Sequence, residues 1–144
     1  MLRVMIAEDE DIIRKGLIYT TDWMGMDCVV VAEAANGQEG LLKILEQKPD
    51  VVIAMEYNPA ALQALWWCRR NGKKFIHLTD GTLFSERNIG KIQKVTRKII
   101  TKNCDAAIAS STRAKEKLLA WGVPEEKIFV SLLTVDVQAY FIAH

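Results

Sequence analysis

Three cysteines, Cys28, Cys68 and Cys104, are all the thiols this chain carries, odd in number and far apart. With no C-x-x-C pair they frame neither a disulfide set nor a zinc site. They read as reduced, buried small side chains of a cytoplasmic protein. No apolar run approaches the roughly 20 residues that cross a bilayer. The N-terminus opens directly on a strand-like segment, which reads as a chain with no secretory leader. Low-complexity tracts and internal repeats are missing, which excludes a repeat architecture. Proline occurs only at Pro49, Pro59 and Pro124, and no Pro/Gly/Ser-rich stretch divides the sequence, so residues 1–144 are expected to form a single domain. Also absent are a Ser-His-Asp or Cys-His arrangement, a P-loop and a G-x-G-x-x-G turn. His77 and Asp80, without a nucleophile or metal partner, read as structural.

What is present suits a soluble globular domain: 50% of residues are hydrophobic and 26% charged, and a chain of this length buries about two-thirds of its unfolded surface. Net charge is +1, unevenly spread. Residues 1–50 carry 5 Lys/Arg against 10 Asp/Glu, whereas residues 51–144 carry 14 against 8. Such asymmetry marks either a basic binding face or two pieces with different histories.

Apolar periodicity alternates along the chain. Leu2–Ala7 is a strand ending in Glu8-Asp9-Glu10-Asp11, followed by Ile12, Ile13, Gly16 and Leu17 at helical spacing. Cys28–Ala32 reads as a strand covered on both faces. Asn36-Gly37 is a turn, and Leu41, Leu42, Ile44 and Leu45 form a second helix ending near Lys48-Pro49. Val51–Met55 is a third strand, and Pro59 opens a helix that Gly72 stops. Lys74–Leu78 is a strand, Ser85 caps a long helix over 85–103, and Ala106–Ala109 is a strand. Ser111 or Thr112 caps a helix closed by Gly122, with Pro124 just beyond. Ile128–Leu133 is a sixth strand. Regular alternation implies parallel pairing through right-handed crossovers, with helices on both faces. The expected fold is a doubly wound three-layer α/β/α sandwich of five to six strands, in the order 2-1-3-4-5 with the sixth beside the fifth. Loops 8–11, 55–59, 79–85 and 110–112 are expected to line a crevice at the carboxyl ends of the strands, with Thr79, Asp80, Ser110 and Ser111 in its wall.

Two resemblances meet within this chain. L-R-V-M-I-A-E-D-E (2–10), I-I-R-K-G-L (12–17), A-x-A-A-N-G-Q-E-G-L (32–41) and P-D-V-V-I (49–53) resemble a response-regulator receiver, a flavodoxin-like domain, over residues 1–53. The resemblance implies that Glu8 and Asp9 are an acidic pair holding Mg²⁺, here a weak site at best. The alternative for the pair is an acidic helix entry favoured by the helix dipole. A receiver's phosphorylatable Asp falls where this frame has Met55, and a thioether accepts no phosphoryl group. Glu56 would point to the other side of the strand. The receiver's lysine at the end of its fifth strand is also replaced, by Ala109-Ser110-Ser111.

From about residue 50 to 144, D-V-V-I-A-M-E (50–56), G-K-K-F-I-H-L-T-D-G (72–81), C-D-A-A-I-A-S-S (104–111), A-K-E-K-L (114–118) and W-G-V-P-E-E-K-I-F-V-S-L-L-T-V-D (121–136) resemble the N-terminal Rossmann-like half of a two-domain glycosyltransferase, with 54–144 as the segment beyond the join. In that family Val135-Asp136 leads to a second domain with most nucleotide-sugar contacts, and both lobes are needed to hold the transition state. The two texts join at Pro49–Ile53. Together they imply an engineered or recombined chimera with no catalysis and no cofactor beyond the weak Mg²⁺ site. Two alternatives stand beside it: a phosphorylation-incompetent pseudo-receiver that docks a protein partner, and a vestigial fragment that binds nucleotide sugar weakly.

The basic residues Arg87, Lys91, Lys94, Arg97, Lys98 and Lys102 sit on the 85–103 helix opposite Ile89, Ile92, Val95, Ile99 and Ile100. The functional reading is an anionic surface partner; the plainer one is a solvated outer face. No aromatic residues interleave them, which argues against nucleic acid. Trp66-Trp67 divide between the core and a half-exposed position, or form a self-association patch.

Overall fold

The computed structural model describes residues 1–55 and 57–131. The strands are β1 (Leu2–Ala7), β2 (Cys28–Ala34), β3 (Val51–Met55), β4 (Lys74–Thr79), β5 (Ala106–Ala109) and β6 (Ile128–Val130). Between them lie α1 (Asp11–Thr20), α2 (Gly37–Gln47), α3 (Pro59–Arg70), α4 (Lys91–Asn103) and α5 (Thr112–Ala120). All pairings are parallel, in the order β2-β1-β3-β4-β5-β6, which is the order read from the sequence.

Local chemistry sets the helix starts. Asn36 and Asn58 accept from the backbone N–H of Glu39 (2.9 Å) and Ala61 (2.8 Å). Ser111 accepts from that of Ala114 at 3.1 Å. Each side chain satisfies a donor that the first helical turn leaves open. Gly72 and Gly122 follow α3 and α5 at φ 64 and 88, a left-handed conformation that a Cβ disfavours.

The layers are unequal. One face of the sheet packs Met5, Val52, Ala54, Phe75, Ala107 and Ala109 against residues of α2, α3, α4 and α5. The other packs Val4, Ile6, Val51, Ile53 and Leu78 mainly against Leu17 and Ile18 of α1 and against Trp23. The cause is topological. Every crossover from β2 onward steps in the same direction, and right-handed crossovers stepping one way place their helices on one face. Only the β1–β2 crossover steps the other way.

The segment where the two resemblances meet is tied into both. Asp50 accepts from Arg3 N–H at 3.1 Å and from the Lys73 ammonium at 2.8 Å. The Lys73 bond holds its carboxyl below the usual range. β3 then pairs with β1 on one side (Val4↔Val51 to Ala7↔Ala54) and with β4 on the other.

Three expectations need correction. β2 is half-buried along most of its length, because it is an edge strand and not a covered one. The helix expected over 85–103 begins only at Lys91, with Gly90 at its cap and its N–H donating to Gln93 Oε1 at 2.9 Å. Ser85 instead closes a turn with Thr82, whose N–H donates to its hydroxyl at 2.9 Å. β6 ends at Val130. Leu132-Leu133, Val135-Asp136 and Glu56 lie outside the described residues.

Candidate functional site

Strand order reverses between β1 and β3, and in open parallel sheets such a switch point is where ligands enter. There the loops after β1, β2 and β3 open into a cleft of about 250 Å³ between α2 and α3. Its floor is apolar, from Met5, Ala7, Ala34 and Ala54, and its rim carries Glu8, Asp9, Asn36, Met55, Asn58 and Gln63.

The acidic pair is unevenly placed. Glu8 is buried and its carboxylate accepts from the Glu10 N–H at 2.9 Å, whereas Asp9 is exposed. Arg14 sits beneath them. Its guanidinium donates to the Glu8 carbonyl (2.7 Å), to Asp11 (2.6 Å) and to Glu33 (3.0 Å), so a fixed cation already faces the acidic loop. Mg²⁺ asks for near-octahedral oxygen ligands. Among the described residues no three His, Cys, Asp or Glu side chains gather to hold a metal, and Met55 offers sulfur where a carboxylate would be needed. These residues do not fit the Mg²⁺ site that the receiver resemblance implies.

Thr79, Asp80, Ser110 and Ser111 do not line this cleft. Thr79 and Ser110 are buried, Asp80 is exposed, and Ser111 caps α5. What fills the carboxyl end of β4 is an ionic cluster. Lys117 is fully buried, and its ammonium donates to the Thr79 hydroxyl at 2.7 Å and to Glu86 at 3.2 Å. Arg97 donates to the same Glu86 carboxylate at 2.8 and 3.3 Å. Both cations lie over the Tyr57 ring, Arg97 at 4.5 Å and Lys117 at 5.0 Å from its centroid. Tyr57 in turn packs against His77, with centroids 4.3 Å apart.

Burial dominates the electrostatics of this cluster. It pushes the Lys117 ammonium below its ordinary value, an effect that the Glu86 carboxylate opposes. It also lowers His77 to about 3, with Lys117 adding to the effect. His77 is therefore neutral at ordinary pH. The cluster is a pinned structural knot: its one carboxylate is shared by two cations, and Gly81 passes so close that a Cβ there would stand 2.7 Å from the Lys117 nitrogen.

Sequence reading missed this knot. The one available signal was Lys117 itself, three residues after Ala114 and beside Leu118, on the apolar stripe of α5. Nothing in the sequence links Glu86 to Arg97 or Lys117, which lie 11 and 31 positions away.

The architecture and the cleft define a doubly wound parallel α/β domain of the flavodoxin-like and Rossmann-like kind. Among the described residues no helix is long and apolar enough to cross a membrane. The model of the family described as Glycosyltransferase Family 4 matches residues 33–139, and the chain belongs to that family. The match begins within β2, ahead of the join that the sequence places at Pro49–Ile53.

The opening part has relatives of another kind. The transcriptional regulatory protein LnrK of Bacillus subtilis is 38% identical over 53 residues, which are 37% of this chain and 24% of that protein. The chain thus spans about a quarter of that relative. The receiver domain of AraT, a response regulator from Geobacillus stearothermophilus, superposes with a TM-score of 0.59 at 27% identity, covering 83% of this chain and 92% of that one. A Listeria monocytogenes protein described as a UDP-N-acetylglucosamine 2-epimerase superposes with a TM-score of 0.65 at 15% identity, covering 89% of this chain and 44% of that one. This last likeness is one of fold alone. The chain thus combines a receiver-like opening with a glycosyltransferase-like remainder.

Proposed function

We propose that this chain catalyses nothing by itself and serves as a non-enzymatic α/β domain, a chimera in which a receiver-type segment (1–53) completes the sheet of a glycosyltransferase-type segment (54–144). The observation that carries this reading is Met55 at the carboxyl end of β3, on the cleft at the switch point. The position where phosphotransfer would need a carboxylate holds a thioether, and the acidic pair beside it is divided between a buried Glu8 and an exposed Asp9. The position at the end of β5 where a receiver carries its lysine reads Ala109-Ser110-Ser111 here, and the Ser111 hydroxyl is spent on capping α5. The join at Pro49–Ile53 supports recombination between two fragments of one architecture, since β3 keeps its pairing on both sides.

The test is incubation with acetyl phosphate and MgCl₂, read by intact mass. The expected spectrum shows the unmodified chain only, and MgCl₂ leaves the melting temperature unchanged. An acid-labile adduct of one phosphoryl group would sink the proposal. Family membership favours one other reading, weak binding of a nucleotide sugar. Titration with a UDP-sugar, followed by amide chemical shifts, supports that reading if the shifts saturate and excludes it if they stay flat.

A further inference from the structure

The helices α2, α3 and α4 lie side by side on one sheet face, and their outward surfaces are unusually apolar. Leu41, Leu42 and Leu45 on α2, Trp66 on α3, and Val95 and Ile99 on α4 are each at least 41% exposed. Ile92, at the start of α4, reaches 83%. These residues sit opposite the buried ones on their own helices: Gly40 and Ile44 on α2, Ala61, Ala64, Leu65 and Cys68 on α3, and Ile100 and Thr101 on α4. A monomer seldom exposes so many large apolar side chains on three neighbouring helices, and such a surface marks an interaction site.

We infer that this three-helix face pairs with a second copy of the chain, about a two-fold axis running along α3. Two features single out this occupant. First, the apolar stripes on α2 and α4 flank Trp66 on either side. A two-fold along α3 lays α2 of each copy on α4 of the other and brings the two Trp66 rings together, as an isologous interface requires. Second, the charges complement each other under the same operation. α4 holds Lys91, Lys94, Lys98 and Lys102 in solvent with no acidic residue, its Arg97 being turned inward to Glu86, whereas α2 presents Glu46 and holds its only lysine, Lys43, against Glu39 at 2.5 Å. An anionic bilayer would attract α4 but be repelled by that α2 edge. Nucleic acid would gain nothing from aliphatic Val95 and Ile99.

Three adjacent helices of this length offer a footprint of roughly 30 by 18 Å, on the order of 1,000 Å² over both partners. This is the lower end for specific pairing, so association is expected in the micromolar range.

The test is sedimentation velocity on the full chain across a concentration series, with Leu42→Lys and Val95→Glu variants alone and mixed. Both side chains are exposed, and circular dichroism confirms that each variant is folded. The wild type is expected to move from monomer to dimer. Each variant alone should remain monomeric, with association weakened at least tenfold. Equimolar mixing should restore a dimer, because one α2–α4 contact then pairs Lys with Glu and the other stays native. A wild type that is monomeric throughout overturns the inference. So does a dimer indifferent to both substitutions, a mixture that fails to rescue, or binding to phosphatidylglycerol vesicles in place of self-association.

Discussion

Replacing Glu86 with Gln removes the carboxylate that Lys117 and Arg97 share, so it tests whether the knot at the end of β4 holds the structure together. Glu86 and Arg97 have side chains only 10% and 12% exposed, and Lys117 is at 0%. Water cannot take over the lost charge. Removing one partner of a buried pair costs about 3–5 kcal/mol, because it leaves uncompensated charge behind. For a chain of this size that is roughly 6–20 °C of melting temperature, out of a total stability of about 5–15 kcal/mol. The assay is urea and thermal unfolding followed by far-UV circular dichroism.

The reasoning makes two further demands of the same variant. Lys117 already binds its proton less tightly in the folded state than in the unfolded one, so the unfolded state holds more protons over the window below the ordinary lysine value. Stability should therefore rise with pH through that window, and more steeply once Glu86 is gone. Adding Lys117→Met to Glu86→Gln should recover much of the loss, since the stranded charge is removed as well. A Glu86→Gln variant within about 1 kcal/mol of wild type would show that water reaches these ions, and the buried-knot reading would be wrong.

Gly81→Ala should destabilise by about 1–3 kcal/mol, measured by urea midpoint, because the new methyl group would stand 2.7 Å from Lys117 Nζ and 2.9 Å from Glu86. His77→Phe should flatten the acid limb of the stability curve. With the folded value near 3 and the ordinary value at 6.5, the unfolded state binds the extra proton between those limits. Wild-type stability thus falls as pH drops through that window, by up to about 1.4 kcal/mol per pH unit for one proton; an unchanged slope in the variant would refute this. The two segments should also melt as one unit. Trp23, whose indole N–H donates to the Ile18 carbonyl at 3.0 Å, and Trp67, packed on the opposite core, should report a fluorescence transition coincident with circular dichroism. Separate transitions would mean that residues 1–53 and 54–144 fold independently.

The sequence alone determined the order and type of the elements and the strand order of the sheet. Apolar period, proline and glycine stops and the Asn and Ser caps are local signals, and right-handed crossovers leave few topologies to choose from. The receiver resemblance further implies a phosphoacceptor where the sequence has Met55, and Met55 closes β3 in the structure. Three things were decided only by tertiary structure. The start of α4 shifted from Ser85 to Lys91 with Gly90 at the cap, while Glu86 of the preceding segment pairs with Arg97 and Lys117. That pairing is non-local and leaves no periodic trace. Cys28–Ala32 has the composition of a covered strand, yet its place at the sheet edge left it half-buried. The charges on the 85–103 segment look alike in sequence, yet Arg97 turned inward while its lysines and an aliphatic stripe stayed in solvent. Periodicity shows that a helix has two faces; only packing against its neighbours decides which one is buried.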